Sequence, residues 1–172
     1  MPRYLLNSLI ILLLSNFSYG QHMTNDRLEE VMTEVVDSIN GYTGYWEITH
    51  RGKQLLCVTD ETHNRMRIIS PIIHAENLDK ELLLDLLTAN FHSALDVKYA
   101  LSKGIVWSVY IHPLKELSEN EVVSALEQVV NASANFGTTF SSTEMVFAGG
   151  QAGNSSEETK EKPKPVVPAQ KL

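Results

Sequence analysis

The residues of this chain that could carry out chemistry are six histidines, one cysteine and scattered carboxylates. No two histidines have the His-x-His or His-x-x-x-His spacing that would place both imidazoles on one metal ion. A single cysteine excludes an intramolecular disulfide framework, a Cys-x-x-Cys redox pair and a cysteine-based zinc knuckle. We therefore expect structural histidines, no metal site and no cofactor. The histidines are His22, His50, His63, His74, His92 and His112.

Two residues remain as candidates for catalysis. His92 shares a polar helix stripe with Asp85 and Glu81, as an acid–base group would, but any solvated helix face carries such residues. Cys57 lies in an apolar run at 55–58, where burial raises the pKa of a thiol and shields it. The sequence also contains no Gly-x-Ser-x-Gly elbow, no phosphate-binding glycine loop and no Walker lysine. It therefore predicts a protein that is not an enzyme and has no catalytic residues.

The composition describes one acidic domain. The chain has 172 residues, of which 43% are hydrophobic, and this is enough to fill one core. Its 14 basic and 21 acidic residues give a net charge of −7. This charge argues against binding to nucleic acid or to anionic lipid, since both would be repelled.

The two ends of the chain differ in composition from its middle. Residues 1–20 combine Arg3, an apolar run at 4–14 and small residues at Ser18 and Gly20, which is typical of a signal peptide. The run is shorter than the roughly 20 residues of a membrane span, although an uncleaved anchor stays an alternative. Residues 149–172 are rich in Gly, Ser, Pro and Lys and predict a disordered tail. We expect an exported protein, periplasmic or secreted, with one domain at 21–148 and no stable membrane anchor after cleavage.

Hydrophobic spacing predicts the elements that position the candidate residues. A helix is expected over 26–39, ended by Gly41 and Gly44, and is followed by a hairpin at 45–50 and 54–59. A third strand at 65–72 frays at Pro71. After the second helix, a hairpin at 98–101 and 105–112 leads to a third helix that begins with a capping box at Ser118 and Glu121. The order α-β-β-β-α-β-β-α predicts an α+β fold with an antiparallel sheet.

The second helix, expected over 77–94, is apolar around most of its circumference. A helix that covers one sheet needs only one apolar face, so this one must pack against a second surface. That surface belongs either to another helix of this chain or to a second copy. We expect a homodimer, with Leu83, Leu87 and Phe91 in its interface.

Aromatic residues on the predicted strands are candidates for a binding surface. Trp46, Trp107 and Tyr110, with Tyr45 beside Trp46, could contact a peptide or an apolar ligand, although large aromatics on strands are often core residues instead. In the last predicted strand, the alternation of apolar residues places Trp107 on one sheet face and Tyr110 on the other.

Four segments of the sequence resemble the YbjN-type domain, which is similar in fold to type III secretion chaperones. They are Leu-Leu-Thr-Ala-Asn-Phe-His at 86–92, Lys-Tyr-Ala-Leu at 98–101, Trp-Ser-Val-Tyr-Ile-His-Pro-Leu at 107–114 and the strand at 65–72. The resemblance implies a compact α+β module, commonly dimeric, that binds extended segments of other proteins or plays an undefined accessory role. None of these motifs is catalytic. Because the secretion chaperones are cytoplasmic, an exported member would meet different clients.

The sequence leads to three hypotheses about function. The first is an exported, non-enzymatic, chaperone-like module that forms a homodimer and binds a client protein. The second is a small-molecule or lipid sensor whose pocket lies between sheet and helix. The third, a hydrolase or metal enzyme that uses His92 or Cys57, has the least support from the residues.

Overall fold

The computed structural model describes residues 22–143. The predicted signal peptide and the predicted tail at 149–172 lie outside the described residues. The elements in chain order are helix α1 (Asn25–Val35), strands β1 (Ser38–Tyr42), β2 (Tyr45–His50), β3 (Lys53–Asp60) and β4 (Arg65–His74), a 3-10 turn (Ala75–Asn77), helix α2 (Lys80–His92), strands β5 (Lys98–Ser102) and β6 (Ile105–His112), and helix α3 (Glu119–Ala134). The strands form one antiparallel sheet in the order β1-β2-β3-β4-β6-β5. The predicted α+β fold class with an antiparallel sheet is confirmed.

The first helix is shorter than predicted, and a strand begins where the end of the helix was expected. Helix α1 is capped by Thr24, whose hydroxyl accepts a hydrogen bond from the Arg27 amide at 3.2 Å, and it ends at Val35. The prediction of a helix over 26–39 was wrong for its last four residues, because the helix ends at Val35 and 38–42 pairs with β2 as strand β1. Helical spacing of apolar residues suits both structures over so short a stretch, and only the neighbouring strand decides between them.

Strand β4 continues past its proline to His74. Strand β3 pairs with β4 only as far as Ile69, and within residues 22–143 the end of β4 continues its strand pairing with β6 alone. Pro71 lies in this one-sided part, and the register shifts between Pro71 and Ile73. A residue without an amide hydrogen is tolerated at such a place. The proline therefore marks the end of pairing with β3 rather than the end of the strand.

The helices pack on one face of the sheet. Helix α3 contacts α1, β4 and β6, while α2 lies beside the edge strand β5. In β6, Val106, Ser108 and Tyr110 are buried toward the helices, whereas Trp107 and Val109 are half-buried on the opposite face. We call this opposite side the open face, since no helix among residues 22–143 covers it. The largest fully buried side chains of the core include Leu28, Met32, Trp46, Ile48, Leu55, Met66, Ile68, Leu114 and Leu126.

The start of α3 follows the sequence prediction closely. The Ser118 amide donates to Glu121 Oε2 at 2.7 Å, and the Glu121 amide donates to Ser118 Oγ at 3.3 Å, which completes the capping box. Leu117 and Val122 are both buried beside it. The Ser118 cap sets the residue at which α3 begins, and therefore the position of Glu119 and Glu121 in its first turn.

Candidate functional site

Helix α2 exposes a set of large apolar side chains. Within it only Leu86 and Ala89 are buried. Four others remain accessible, and together we call them the α2 face: Leu83 (42% exposed), Leu84 (54%), Leu87 (66%) and Phe91 (80%). Leu101 of β5 is also exposed. Apolar patches of this kind on a soluble protein mark interaction surfaces, because leaving them in water is unfavourable.

The position of α2 is fixed at its start and near its end. Asp79 caps the helix, which begins at Lys80 rather than at the predicted residue 77, and the Asp79 carboxylate accepts from the Leu82 amide at 2.8 Å. The Asn90 side chain bonds to the backbone of Tyr99 in β5. After His92 the chain turns at Leu95, whose φ of 47° is left-handed and incompatible with a continuing helix. The exposed side chains therefore sit on a firmly held helix.

A shallow groove runs between α2 and β5. Its volume is about 240 Å³, and its walls include Leu78, Leu83, Leu86, Leu87, Tyr99 and Leu101. The groove shares Leu83 and Leu87 with the α2 face, so one occupant could cover both. It also lies between a helix and the sheet, where the sensor hypothesis places a pocket.

The sequence analysis predicted Leu83, Leu87 and Phe91 as surface apolar residues but did not include Leu84 and Leu101, which are also exposed. Leu84 belongs to the same apolar circumference of the helix and could have been included on that ground. Leu101 is contributed by another element, and its place beside α2 depends on the register of the β5–β6 hairpin, where it pairs with Val106. No local pattern reveals that neighbourhood.

The structure does not bring Trp46, Trp107 and Tyr110 together. Trp46 is 1% exposed and lies in the core, and Tyr110 is buried on the same, helix-facing side. Trp107 alone lies on the open face, where its indole N–H donates to the Ser102 carbonyl at 3.3 Å. A peptide on the open face would therefore meet Trp107 but not the other two.

The candidate catalytic residues are not arranged for catalysis. His92 packs edge-on against Phe91, and within residues 22–143 it has no hydrogen bond to Asp85 or Glu81. Cys57 is fully buried, and burial raises the pKa of its thiol to about 12, so the thiol stays protonated and shielded.

Two of the other histidines contact carboxylates. His50 is buried, and its Nε2 lies 3.1 Å from Glu127 Oε1 of α3. His63 Nδ1 contacts Asp60 at 2.7 Å on the surface. The part of the chain that the structure describes contains no group of three or more His, Cys, Asp or Glu side chains able to hold a metal ion. None of the helices described there is long and apolar enough to cross a membrane.

The fold is similar to that of type III secretion chaperones. A chain of the HopA1–SchA chaperone–effector complex superposes with a TM-score of 0.51 and 12% identity, over 63% of this chain and 88% of that one. A chain of the complex of the Yersinia pestis type III secretion chaperone SycH with a fragment of YscM2 gives 0.50 and 17%, over 65% and 98%. At these identities the likeness concerns the fold. The chain matches no protein-family model and no curated protein, so the YbjN-type resemblance stays a prediction.

Proposed function

We propose that this protein is an exported, non-enzymatic, chaperone-like module that forms a homodimer through the α2 face and binds a client protein. The single observation that carries the proposal is the α2 face, four large apolar side chains displayed on a helix that its own chain does not cover within residues 22–143. A likeness in fold to chains from two complexes of a chaperone with another protein supports the protein-binding class.

A second copy is the occupant that the α2 face fits best. Leu83, Leu84, Leu87 and Phe91 follow a single helix, so two such helices related by a twofold axis would bury the same residues against each other. Leu101 lies near enough on β5 to extend that patch beyond the helix. The adjoining groove would receive side chains of the partner.

The dimer is tested by light scattering of the full mature chain and of the double variant Leu83→Glu/Leu87→Glu. We expect the wild type to be a dimer and the variant a folded monomer, because four charges would face each other across the interface. The matched control is Ile111→Glu, a similarly exposed side chain on the open face that should leave the dimer intact. A monomeric wild type, or a double variant that stays dimeric, contradicts this interface.

The open face is the surface that we propose for the client. Cross-strand pairing aligns Leu56, Ile69 and Val109 in one row, and Trp107 lies opposite Pro71 in a neighbouring row. These apolar side chains are half-buried or exposed, as expected where an extended apolar segment packs.

Client binding is tested with a photo-crosslinking residue at position 107, expressed in the native host and directed to its exported fraction. The control position is Glu30, an exposed residue of α1 on the other side of the sheet. We expect one defined protein adduct from position 107 that position 30 does not give. Equal crosslinking at both positions contradicts a client site on the open face.

Export is tested by the amino terminus of the protein recovered from cells. Cleavage after Gly20 predicts a mature chain that begins at Gln21. A chain recovered intact from the cytoplasm contradicts the proposal that it is exported.

A sensor of apolar small molecules is the second candidate, and the groove of about 240 Å³ beside Leu78 and Leu86 favours it. Native mass spectrometry distinguishes the two. A stoichiometric apolar ligand on the wild type, lost when Leu86 is replaced by Gln, supports a sensor, whereas a ligand-free dimer supports the chaperone-like module.

A further inference from the structure

A polar cleft lies at the end of β6 that is far from the α2 face. Strand β5 pairs with β6 only from Ile105 to Val109, so the last residues of β6 border a gap instead of a strand on that side. Helix α3 and Asp96 close this gap and leave a cleft of about 270 Å³. Its polar walls are Asp96, Tyr110, His112, Glu121, Ser124 and Gln128.

The described walls of the cleft contain two carboxylates, one histidine and no lysine or arginine. Asp96 Oδ2 accepts from Gln128 Nε2 at 3.2 Å, and Glu121 Oε2 accepts from the Ser118 amide at 2.7 Å. Within residues 22–143, Oδ1 of Asp96 accepts no hydrogen bond and neither residue forms a salt bridge, although the amide and hydroxyl of Ser118 and the charge of His112 lower the pKa of Glu121. Asp96 therefore keeps a free acceptor position beside the cleft.

The other side chains of the cleft add acceptors as well. Nδ1 of His112 lies 2.8 Å from the carbonyl of Pro113 and must donate to it, which leaves Nε2 of the neutral ring as an acceptor. The amide N–H groups of Gln128 are already directed to Asp96 and Ser124. The cleft thus presents several acceptors and two negative charges, while the amide donors of Gln128 are already used.

Tyr110 adds a buried side chain whose polar end lines the cleft. Only 5% of this residue is exposed, and its ring stacks on His112 with 7° between the planes. Its hydroxyl forms no hydrogen bond to any described residue and is accessible from the cleft. Burial of the ring, together with the charges of Glu121 and Asp96, raises the pKa of Tyr110 to about 12, so the hydroxyl stays protonated.

We propose that this cleft binds one organic cation, the ammonium of a lysine or the guanidinium of an arginine side chain. Asp96 and Glu121 would neutralise its charge, and the oxygen of Tyr110 would accept one of its N–H groups. A cation of this kind satisfies every free acceptor at once, whereas an anion would meet two like charges. The cleft shares no residue with the α2 face or its groove, so the inference goes beyond the proposed dimer.

Two sources can supply this cation. One is a basic side chain of a client protein, which would anchor a segment at the end of β6. The other is this chain itself, which carries four lysines beyond the described residues, Lys160, Lys162, Lys164 and Lys171. The net negative charge of the middle of the chain attracts a basic side chain from either source.

Binding is tested by NMR titration of the full mature chain with N-acetyl-lysine amide and N-acetyl-arginine amide. The neutral N-acetyl-glutamine amide is the control probe. We expect saturable shifts of the backbone amides of Tyr110, Ile111 and Gln128 at about 10 mM or below for the cations alone. The same titration on a full-length variant with the four tail lysines replaced by Gln removes competition from the tail.

Variants of the cleft identify the groups that bind. Tyr110→Phe should weaken the cation about threefold to tenfold, and Asp96→Asn by at least as much, because a charged partner is lost. Asp85→Asn, an exposed carboxylate on α2, should change nothing. Tighter probe binding in the tail variant assigns the cation to the tail, and unchanged binding assigns it to another protein. Absence of a saturable shift in the tail variant, or equal shifts from the neutral probe, overturns the proposal.

Discussion

Asn90 of α2 bonds through its side-chain amide to both backbone groups of Tyr99 in β5. Its Oδ1 accepts from the Tyr99 amide at 2.7 Å, and its Nδ2 donates to the Tyr99 carbonyl at 3.0 Å. These two groups point away from β6, at the free edge of the sheet. The contact therefore holds α2 in place and also satisfies the edge strand, which would otherwise offer its backbone to another chain.

Replacing Asn90 by Ala should lower the free energy of unfolding by about 1–3 kcal/mol, because two backbone groups of Tyr99 lose their partners. Urea unfolding measures the loss, and hydrogen exchange of the Tyr99 amide should accelerate. The control is Asn77→Ala, an exposed residue for which no hydrogen bond is found in the described part of the chain. Equal stability of the two variants would show that the contact contributes nothing.

Cys57 should resist labelling in the native protein. A pKa near 12 instead of the ordinary 9 lowers the thiolate fraction at pH 8 about a thousandfold, and burial blocks the reagent as well. Reaction with Ellman's reagent should therefore be slow in buffer and fast in concentrated urea. Rapid labelling in buffer would refute the burial of this thiol and reopen its candidacy as a nucleophile.

Stability should fall as the pH rises above about 9. Cys57 and Tyr110 have raised pKa values in the folded protein, so between about 9 and 12 the unfolded chain loses protons that the folded chain keeps. The unfolded state is then favoured, by about 1.4 kcal/mol per pH unit for each group fully within its window. Unfolding curves of Cys57→Ala should show a shallower decline than the wild type. Parallel declines would contradict the assignment to Cys57.

Gly41 and Gly52 both adopt left-handed backbone, but only one of them is also crowded. A Cβ at Gly41 (φ 139°) would lie 2.2 Å from the Tyr45 carbonyl oxygen, whereas at Gly52 (φ 72°) nothing lies within 4 Å. Gly52→Ala should cost about 1 kcal/mol from the backbone alone, and Gly41→Ala more than about 2 kcal/mol. Thermal unfolding compares them. Similar costs would show that the β1–β2 turn can move aside.

Local patterns determined several parts of this protein. The Ser118 capping box, the β2–β3 and β5–β6 hairpins and the apolar circumference of α2 all depend on residues close together in the chain, so sequence alone predicts them. The fold class follows from the order of these elements. The same apolar circumference of α2 predicted that Leu83, Leu87 and Phe91 would lie on a surface that the sheet does not cover.

Only the tertiary structure determined which strands pair and which distant residues become neighbours. Residues 38–42 become β1 because β2 offers them hydrogen bonds, and at Pro71 the strand continues although its pairing with β3 has ended at Ile69. Trp107 is separated from Trp46 by the thickness of the sheet, and Asp96 meets Glu121 across a gap left by a short edge strand. Such relations depend on strand register and on helix placement, which are set by long-range packing and leave no periodic trace in the sequence.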